Sequence, residues 1–404
     1  MFEYRLNLKN LHFRQRAYPF RLLNGQFAYA NILVQRMYDI IGLLRLAIEK
    51  GASDLYLVVA YPPVGPFLRV NGMITPIDGM AGLTAEDISD VLTQLTTEEQ
   101  REEFYHKLEL DFAYSLPNVA RIRCNVAQQR GTMSLSLRIL PAAVPSIDEL
   151  GLPQVCKELA MYPRGLVIVS GPSWSGKSTT LAAMIHHINA NITCRIVTVE
   201  DPIEYSHSNL NSVVIQRELG KDTLSFAAAL NHVLRQGPDV VMVGEMRDVD
   251  TAAAVLSIVE SGHLVLTTGH TTSAYQCIER VIDLFPPEQR YLAQTRLASL
   301  IVGVLCQILV PRADGSGRIV AVEVMLGNVA VKNLIREGKI YQLTNVIRTS
   351  SLEGMETLDQ ALVKLYLRRM ITLESVGSFC NDREEMERLL GKVPAVYAEA
   401  EIHG

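Results

Sequence analysis

Gly165-Leu166-Val167-Ile168-Val169-Ser170, followed at once by Gly171-Pro172-Ser173-Trp174-Ser175-Gly176-Lys177-Ser178, decides how this chain folds. The first six residues are an apolar run of strand length, and Ser178 to Ile185 opens a helical pattern. Between them the spacing G-x-x-x-x-G-K-S satisfies the phosphate-binding loop. Strand, glycine loop and helix form the setting in which loop amides and a helix N-terminus hold phosphate oxygens. The expected nucleotide-binding residues are Gly171, Ser173, Ser175, Gly176, Lys177, Ser178 and Thr179. Lys177 is expected to reach the β- and γ-phosphates, and Ser178 to ligate Mg²⁺. Thr179, at the start of the helix, is expected to bond a phosphate further in. Trp174 is the one tryptophan of the chain. Inside the loop it either covers the nucleotide or packs its edge.

Three segments downstream carry acids and histidines. Val199-Glu200-Asp201-Pro202-Ile203-Glu204-Tyr205 sets three acids just past a strand end, where they hold Mg²⁺ waters or polarise an attacking water. Asp239-Val240-Val241-Met242-Val243-Gly244-Glu245-Met246-Arg247-Asp248 is close to a Walker B layout, with Gly244 where many such ATPases have Asp. Metal ligation then shifts towards Ser178 and the segment holding Asp201, and Glu245 becomes the candidate that positions water. In Gly262-His263-Leu264-Val265-Leu266-Thr267-Thr268-Gly269-His270-Thr271 two histidines bracket a strand. His270 either reports γ-phosphate occupancy or is an ordinary satisfied residue. Arg121 and Arg123, two residues apart on one strand face, are either solvated or reach a phosphate as arginine fingers.

At 404 residues the chain has room for two domains or more, and 48% hydrophobic against 20% charged residues describes a folded globular protein. A net charge of −5 argues against a protein that coats nucleic acid, and against a DNA translocase. Six scattered cysteines with no C-x-x-C pair point to a reducing compartment, neither disulfides nor zinc. Leu297 to Val310, the longest apolar stretch, is interrupted by Ser299 and Gln307 and is too short to span a bilayer. No signal peptide is legible, so a cytoplasmic location is expected, without direct membrane insertion.

The expected order is an extension over 1–36, a small mixed α/β domain over 37–140, a linker over 141–153, and an α/β domain over 154–404. The extension carries six Lys/Arg against one acid and reads as unstructured, or as upstream translation before Met37. Tyr38–Lys50 and Ala85–Leu95 read as helices; 55–59, 67–70, 120–126 and 134–139 read as strands, with a hairpin turn at Asn71-Gly72. Pro141, Pro145, Gly151 and Pro153 punctuate the linker. Beyond it, strands at 166–170, 196–199, 240–243 and 264–267 alternate with helices, which predicts a mostly parallel sheet. Helices are expected over 287–304, 330–337, 357–369 and 382–390.

With these four segments in order, the chain resembles the PilT-type retraction ATPases of type IV pili, within the secretion ATPase superfamily. The likeness runs from about Met37 to Gly391. Lys50–Leu55 looks like the family's opening, Glu200–Tyr205 like its Asp box and Gly244–Asp248 like its GEMRD Walker B. Gly262–Thr271 looks like its His box, and Ala330–Glu337 like its AIRNLIRE motif. The resemblance implies a PAS-like N-terminal domain, a RecA-like P-loop NTPase domain, a homo-hexameric ring, and ATP with Mg²⁺ held between the domains. It further implies docking on the inner-membrane platform protein of the pilus machine, so that the ring is peripheral to that membrane. Glu245, Glu200, Glu204, His270, Arg121 and Arg123 then become the expected catalytic set, with Ser178 and Asp201 at the metal.

There are departures from the family pattern. Ser173-Trp174 stands for Thr-Gly in the phosphate loop, Thr267 and Gly269 for Gly and Leu around His270, and Val331-Lys332 for Ile-Arg. The tetracysteine zinc module of extension and type II secretion ATPases has no counterpart here. Two other readings remain: an accessory retraction ATPase of the PilU type, working beside a primary motor, and an ATP-binding scaffold with little turnover.

Overall fold

The computed structural model describes residues 18–21, 27–30 and 38–391, apart from 62–64, 71, 117–118 and 141–142. The chain divides into two compact units, Met1–Phe112 with Cys124–Arg138, and Ala113–Arg123 with Ile139–Gly404. Most of the extension expected over 1–36 lies outside the described residues. Within it β1 (Tyr18–Arg21) pairs antiparallel with β2 (Phe27–Ala30).

The first unit begins with α1 (Ile40–Glu49), capped by the Asp39 side chain accepting from the amide of Gly42. Ile40, Leu43, Leu44 and Ala47 bury its apolar stripe. Then follow β3 (Asp54–Val58), β4 (Phe67–Val70) and β5 (Met73–Pro76), in which Val70 opposes Met73 across the hairpin expected from the sequence. Of that turn, Asn71 lies outside the described residues. Next come α2 (Ala85–Leu95), capped by Thr84 in a full capping box with Asp87, and α3 (Glu98–Lys107). β6 (Glu109–Leu116), β7 (Ala120–Gln129) and β8 (Thr132–Leu140) complete a six-stranded sheet in the order β5-β4-β3-β8-β7-β6. Neither α3 nor β6 was legible in the sequence. β7 alternates cleanly: Ile122, Cys124 and Val126 are buried, while Arg121, Arg123 and Asn125 share the other face.

The second unit is built on a sheet of seven strands. In chain order its elements are α4 (Val155–Ala160), β9 (Gly165–Ser170), α5 (Lys177–Asn191), β10 (Arg195–Glu200), β11 (Val213–Glu218) and α6 (Phe226–Val233). They continue with β12 (Val240–Val243), α7 (Val249–Glu260), β13 (Leu264–Thr268), α8 (Ala274–Asp283), α9 (Pro287–Leu300), β14 (Ile301–Pro311) and β15 (Arg318–Leu326). Five helices close it: α10 (Val329–Arg336), with α11 (Leu343–Thr349), α12 (Leu358–Leu367), α13 (Leu373–Phe379) and α14 (Arg383–Gly391) after it. The strand order is β11-β10-β12-β13-β9-β14-β15, parallel except for the β14–β15 pair. This is the RecA-like arrangement expected of the second domain.

The central strands are apolar on both faces because helices cover both. Leu166 and Ile168 of β9 pack with Val241 and Val243 against α6, α7 and α8. Val167 and Val169, one residue out of phase, pack with Val240 and Met242 against α4 and α5. Ile147 and Leu152, inside the stretch expected as a linker, are buried in this second cluster.

The helix expected over 287–304 ends at Leu300, and the chain continues as β14. The apolar run satisfies either period, and the β-branched Ile301, Val302 and Val304 settle it in favour of a strand between two neighbours. β11, α6 and β15 were not assigned from the sequence.

Asp359, buried in the first turn of α12, accepts from the backbone amides of Asn381 and Asp382 at 2.7 and 3.1 Å. It thereby holds the connection between α13 and α14. Asp359→Ala leaves those amides without their acceptor, at a cost of about 2 kcal/mol. A thermal melt of the variant is expected to fall by roughly 4–8 °C; an unchanged melt would remove Asp359 from this role.

Candidate functional site

Parallel strands in register bring four loops to one edge of the sheet. Val199 of β10 opposes Val243 of β12, Val243 opposes Thr267 of β13, and Thr268 opposes Val169 of β9. The phosphate loop, the acidic segment after β10, Gly244-Glu245 and the His270 loop therefore start side by side.

The phosphate loop is shaped by backbone conformations that favour glycine. Gly171 has φ +148°, and a Cβ there would sit 2.3 Å from the carbonyl oxygen of Gln307 and 2.6 Å from Ser175 Oγ. Gly176 has φ +87° and leads directly into α5. Between them Trp174 adopts φ +70°, where an L-residue pays about 1–2 kcal/mol. Its side chain is 64% exposed. Ser173 is exposed as well, whereas Ser175 is buried with its Oγ lacking a hydrogen-bond partner. A glycine cradle around an orphaned hydroxyl fits an oxygen-rich anion such as a nucleotide's phosphates, with Ser178 one position beyond the lysine for a divalent ion.

Lys177 is buried, and its Nζ donates to the carbonyls of Gly171 and Pro172 at 2.8 and 2.9 Å. Burial pulls its pKa down, while the charges of Glu245 and Glu204 pull it back up. The charges of both acids therefore reach the lysine of this loop. Thr179 hydrogen-bonds the hydroxyl of Tyr205 at 2.9 Å, tying α5 to the acidic segment.

Glu245 is nearly buried and fixed from two sides: His270 Nε2 lies 3.0 Å from its Oε2, and Arg247 pairs with its Oε1. Gly244, where an Asp was looked for, donates its amide to Val199 and accepts on its carbonyl from the Thr268 hydroxyl. It stitches three strands together at the point where Glu245 leaves the sheet. Glu200 is deeply buried, accepting from Thr198 Oγ1 at 2.6 Å and Gln216 Nε2 at 3.0 Å; burial raises its pKa despite those bonds. Asp201 is exposed, and Glu204 is the acid of this segment whose charge reaches Lys177.

The histidine loop is pinned to the phosphate-loop strand. Ser170 Oγ accepts from the Thr271 amide at 2.9 Å and donates to the Thr271 carbonyl at 2.8 Å. A Cβ at Gly269 would come within 2.9 Å of the same Oγ, so glycine permits this close approach. Arg121 pairs with the buried Glu218 at 2.6 Å. Arg123 is half-buried on the same face of β7. Ser170, Tyr205, Gln216, Glu218 and Gln307 escaped the sequence reading. Gln307 alone left a signal, as a polar residue in an apolar run.

Comparison with known proteins agrees with this geometry. The family described as "Type II/IV secretion system protein" matches residues 39–350. A twitching motility protein of Neisseria gonorrhoeae is 39% identical over 86% of this chain and 92% of its own length. In Pseudomonas aeruginosa the type IV pilus retractation ATPase PilT is 40% identical over 83% of this chain and 96% of its own. The type IV pilus ATPase PilU of that organism is 38% identical over 86% and 90%. A crystal structure of the pilus retraction motor PilT with bound ADP superposes with a TM-score of 0.79 at 40% identity, covering 87% of this chain and 99% of that one. The chain belongs to the type II/IV secretion system protein family, and it is an ATP hydrolase.

Because Trp174 is the only tryptophan, its fluorescence reads the phosphate loop directly. Titrating ATP is expected to change the emission saturably in the wild type and not in Lys177→Ala. Unaltered emission at saturating ATP would place Trp174 away from the bound nucleotide.

Proposed function

We propose that this protein is the ATP-driven motor that retracts type IV pili and so powers twitching motility. The observation that carries the reading is Glu245, held by His270 and Arg247 at the end of β12 while its charge acts on the phosphate-loop lysine. A carboxylate held in this way supports the reading that Glu245 orients the attacking water. Lys177 and the backbone amides of residues 173–178 bind the triphosphate. Ser178, with water shared by Asp201 and Glu204, holds Mg²⁺. When bound, the ion neutralises charge on the β- and γ-phosphates. His270 keeps Glu245 oriented and, through the loop tied to Ser170, senses whether a γ-phosphate is in place. Glu200 supports the acidic segment from beneath. Arg123, and Arg121 on release from Glu218, supply positive charge to a phosphate.

The working form is a homo-hexameric ring that closes subunit by subunit around hydrolysis. Its load is the inner-membrane platform protein of the pilus machine, which keeps the ring at the cytoplasmic face of that membrane. Among the described residues no helix is long and apolar enough to cross a membrane. A second reading is an accessory PilU-type motor, kept open by an identity to PilU of 38% beside 40% to PilT.

Lys177→Ala, introduced in cells that depend on this protein, is expected to abolish pilus-driven surface movement while pili remain on the cell. Bald cells would assign the protein to extension instead. Retraction restored only when a second retraction ATPase is present would favour the accessory role.

A further inference from the structure

Gln307 lies in the middle of β14, between Cys306, which opposes Ser170 of β9, and an apolar continuation to Val310. It is 2% exposed. Burying an amide among apolar neighbours costs about 1–3 kcal/mol unless its bonds are replaced, and here they are. Nε2 donates to the carbonyl oxygen of Ser175 at 2.7 Å, and Oε1 accepts from Thr180 Oγ1 at 2.9 Å. The orientation of the amide is fixed by chemistry: a carbonyl only accepts, so the NH₂ must face Ser175. The residue's own backbone carbonyl lies against Gly171, and Nε2 is 3.3 Å from where a Cβ of Gly176 would stand. One side chain on a neighbouring strand therefore grips the phosphate loop from outside.

The consequence follows from peptide planarity. The carbonyl of Ser175 and the amide of Gly176 belong to one trans peptide and point in opposite directions. Holding that oxygen against Gln307 turns the Gly176 N–H to the opposite side, away from β14. Glycine at 176, at φ +87°, gives this peptide little resistance to flipping, and a flip would aim a carbonyl at an anion in place of a donor. We propose that Gln307 is a positioning residue for nucleotide binding: it locks the Ser175–Gly176 peptide with its N–H towards the phosphates, and Thr180, on the first turn of α5, locks Gln307. The inference rests on the reading of 171–178 as the nucleotide loop.

The test uses the full-length protein and a fluorescent N-methylanthraniloyl-ADP with Mg²⁺ as probe. Steady-state ATP turnover and a thermal melt are measured on each variant. Gln307→Met keeps the volume and loses both bonds; it is expected to raise Kd for the probe and KM for ATP about tenfold, with kcat changed less than threefold. Thr180→Val leaves Gln307 in place but unanchored, and about a threefold rise is expected. In the double variant the two effects are not additive, because both act through one amide. A lower melt with Kd within twofold of wild type would make Gln307 a fold-stabilising residue only and overturn the proposal. Should Gln307→Met fail to fold, Thr180→Val decides alone: an unchanged Kd overturns the proposal. Lys177→Ala is measured alongside. If that variant binds the probe like wild type, the reading of the loop itself falls; if it loses binding while Gln307→Met keeps it, only the role of Gln307 falls.

Discussion

The site exists because four parallel strands end level with one another. Hydrogen bonding sets Val169 beside Thr268, Thr267 beside Val243, and Val243 beside Val199. The loops that leave these positions carry Lys177, the acids and the histidine, and this register brings them side by side. The register is enforced by burial on both faces: slipping one strand by a residue would exchange the side chains packed on α5 with those packed on α7. Chemistry at the edge thus depends on packing in the middle.

Short polar ties then fix the loops against each other. Ser170 holds Thr271, Thr268 holds Gly244, Thr179 holds Tyr205, and His270 with Arg247 holds Glu245. The Ser170 and Thr179 ties link the elements flanking the phosphate loop to the histidine and acidic segments, while Thr268 and His270 tie the histidine segment to that of Glu245. Loops tied in this way cannot shift independently, which is what coupling a local change of charge to movement requires. One departure from the family pattern and one from the commoner Walker B layout read differently in this light. Gly269 allows the histidine loop to approach Ser170, and Gly244 participates in a three-strand seam. Trp174 is the costly one, since it holds a bulky side chain in a left-handed conformation on the loop that binds phosphate.

Much of this was legible in the sequence because it is local. The phosphate loop, the β12 run and the His270 strand each declare themselves within ten residues. The helical pattern of Ala85–Leu95 is local in the same way. What stayed hidden depends on partners far along the chain. β14 reads as a continuation of α9 until its neighbours β9 and β15 are known. Gln307 meets Ser175 across 132 residues, and Glu218 meets Arg121 across 97. Sequence spacing carries no trace of such meetings. The bond between the Thr179 and Tyr205 hydroxyls joins two segments in the same way, and the sequence gives no sign of it.

The central claim is that Glu245 orients the water that attacks ATP. Steady-state ATP hydrolysis by the purified protein, wild type beside Glu245→Gln, tests it most directly. Loss of turnover by about a hundredfold or more, with nucleotide binding retained, is the predicted result. Equal turnover in the two proteins would contradict the account and place the catalytic acid elsewhere.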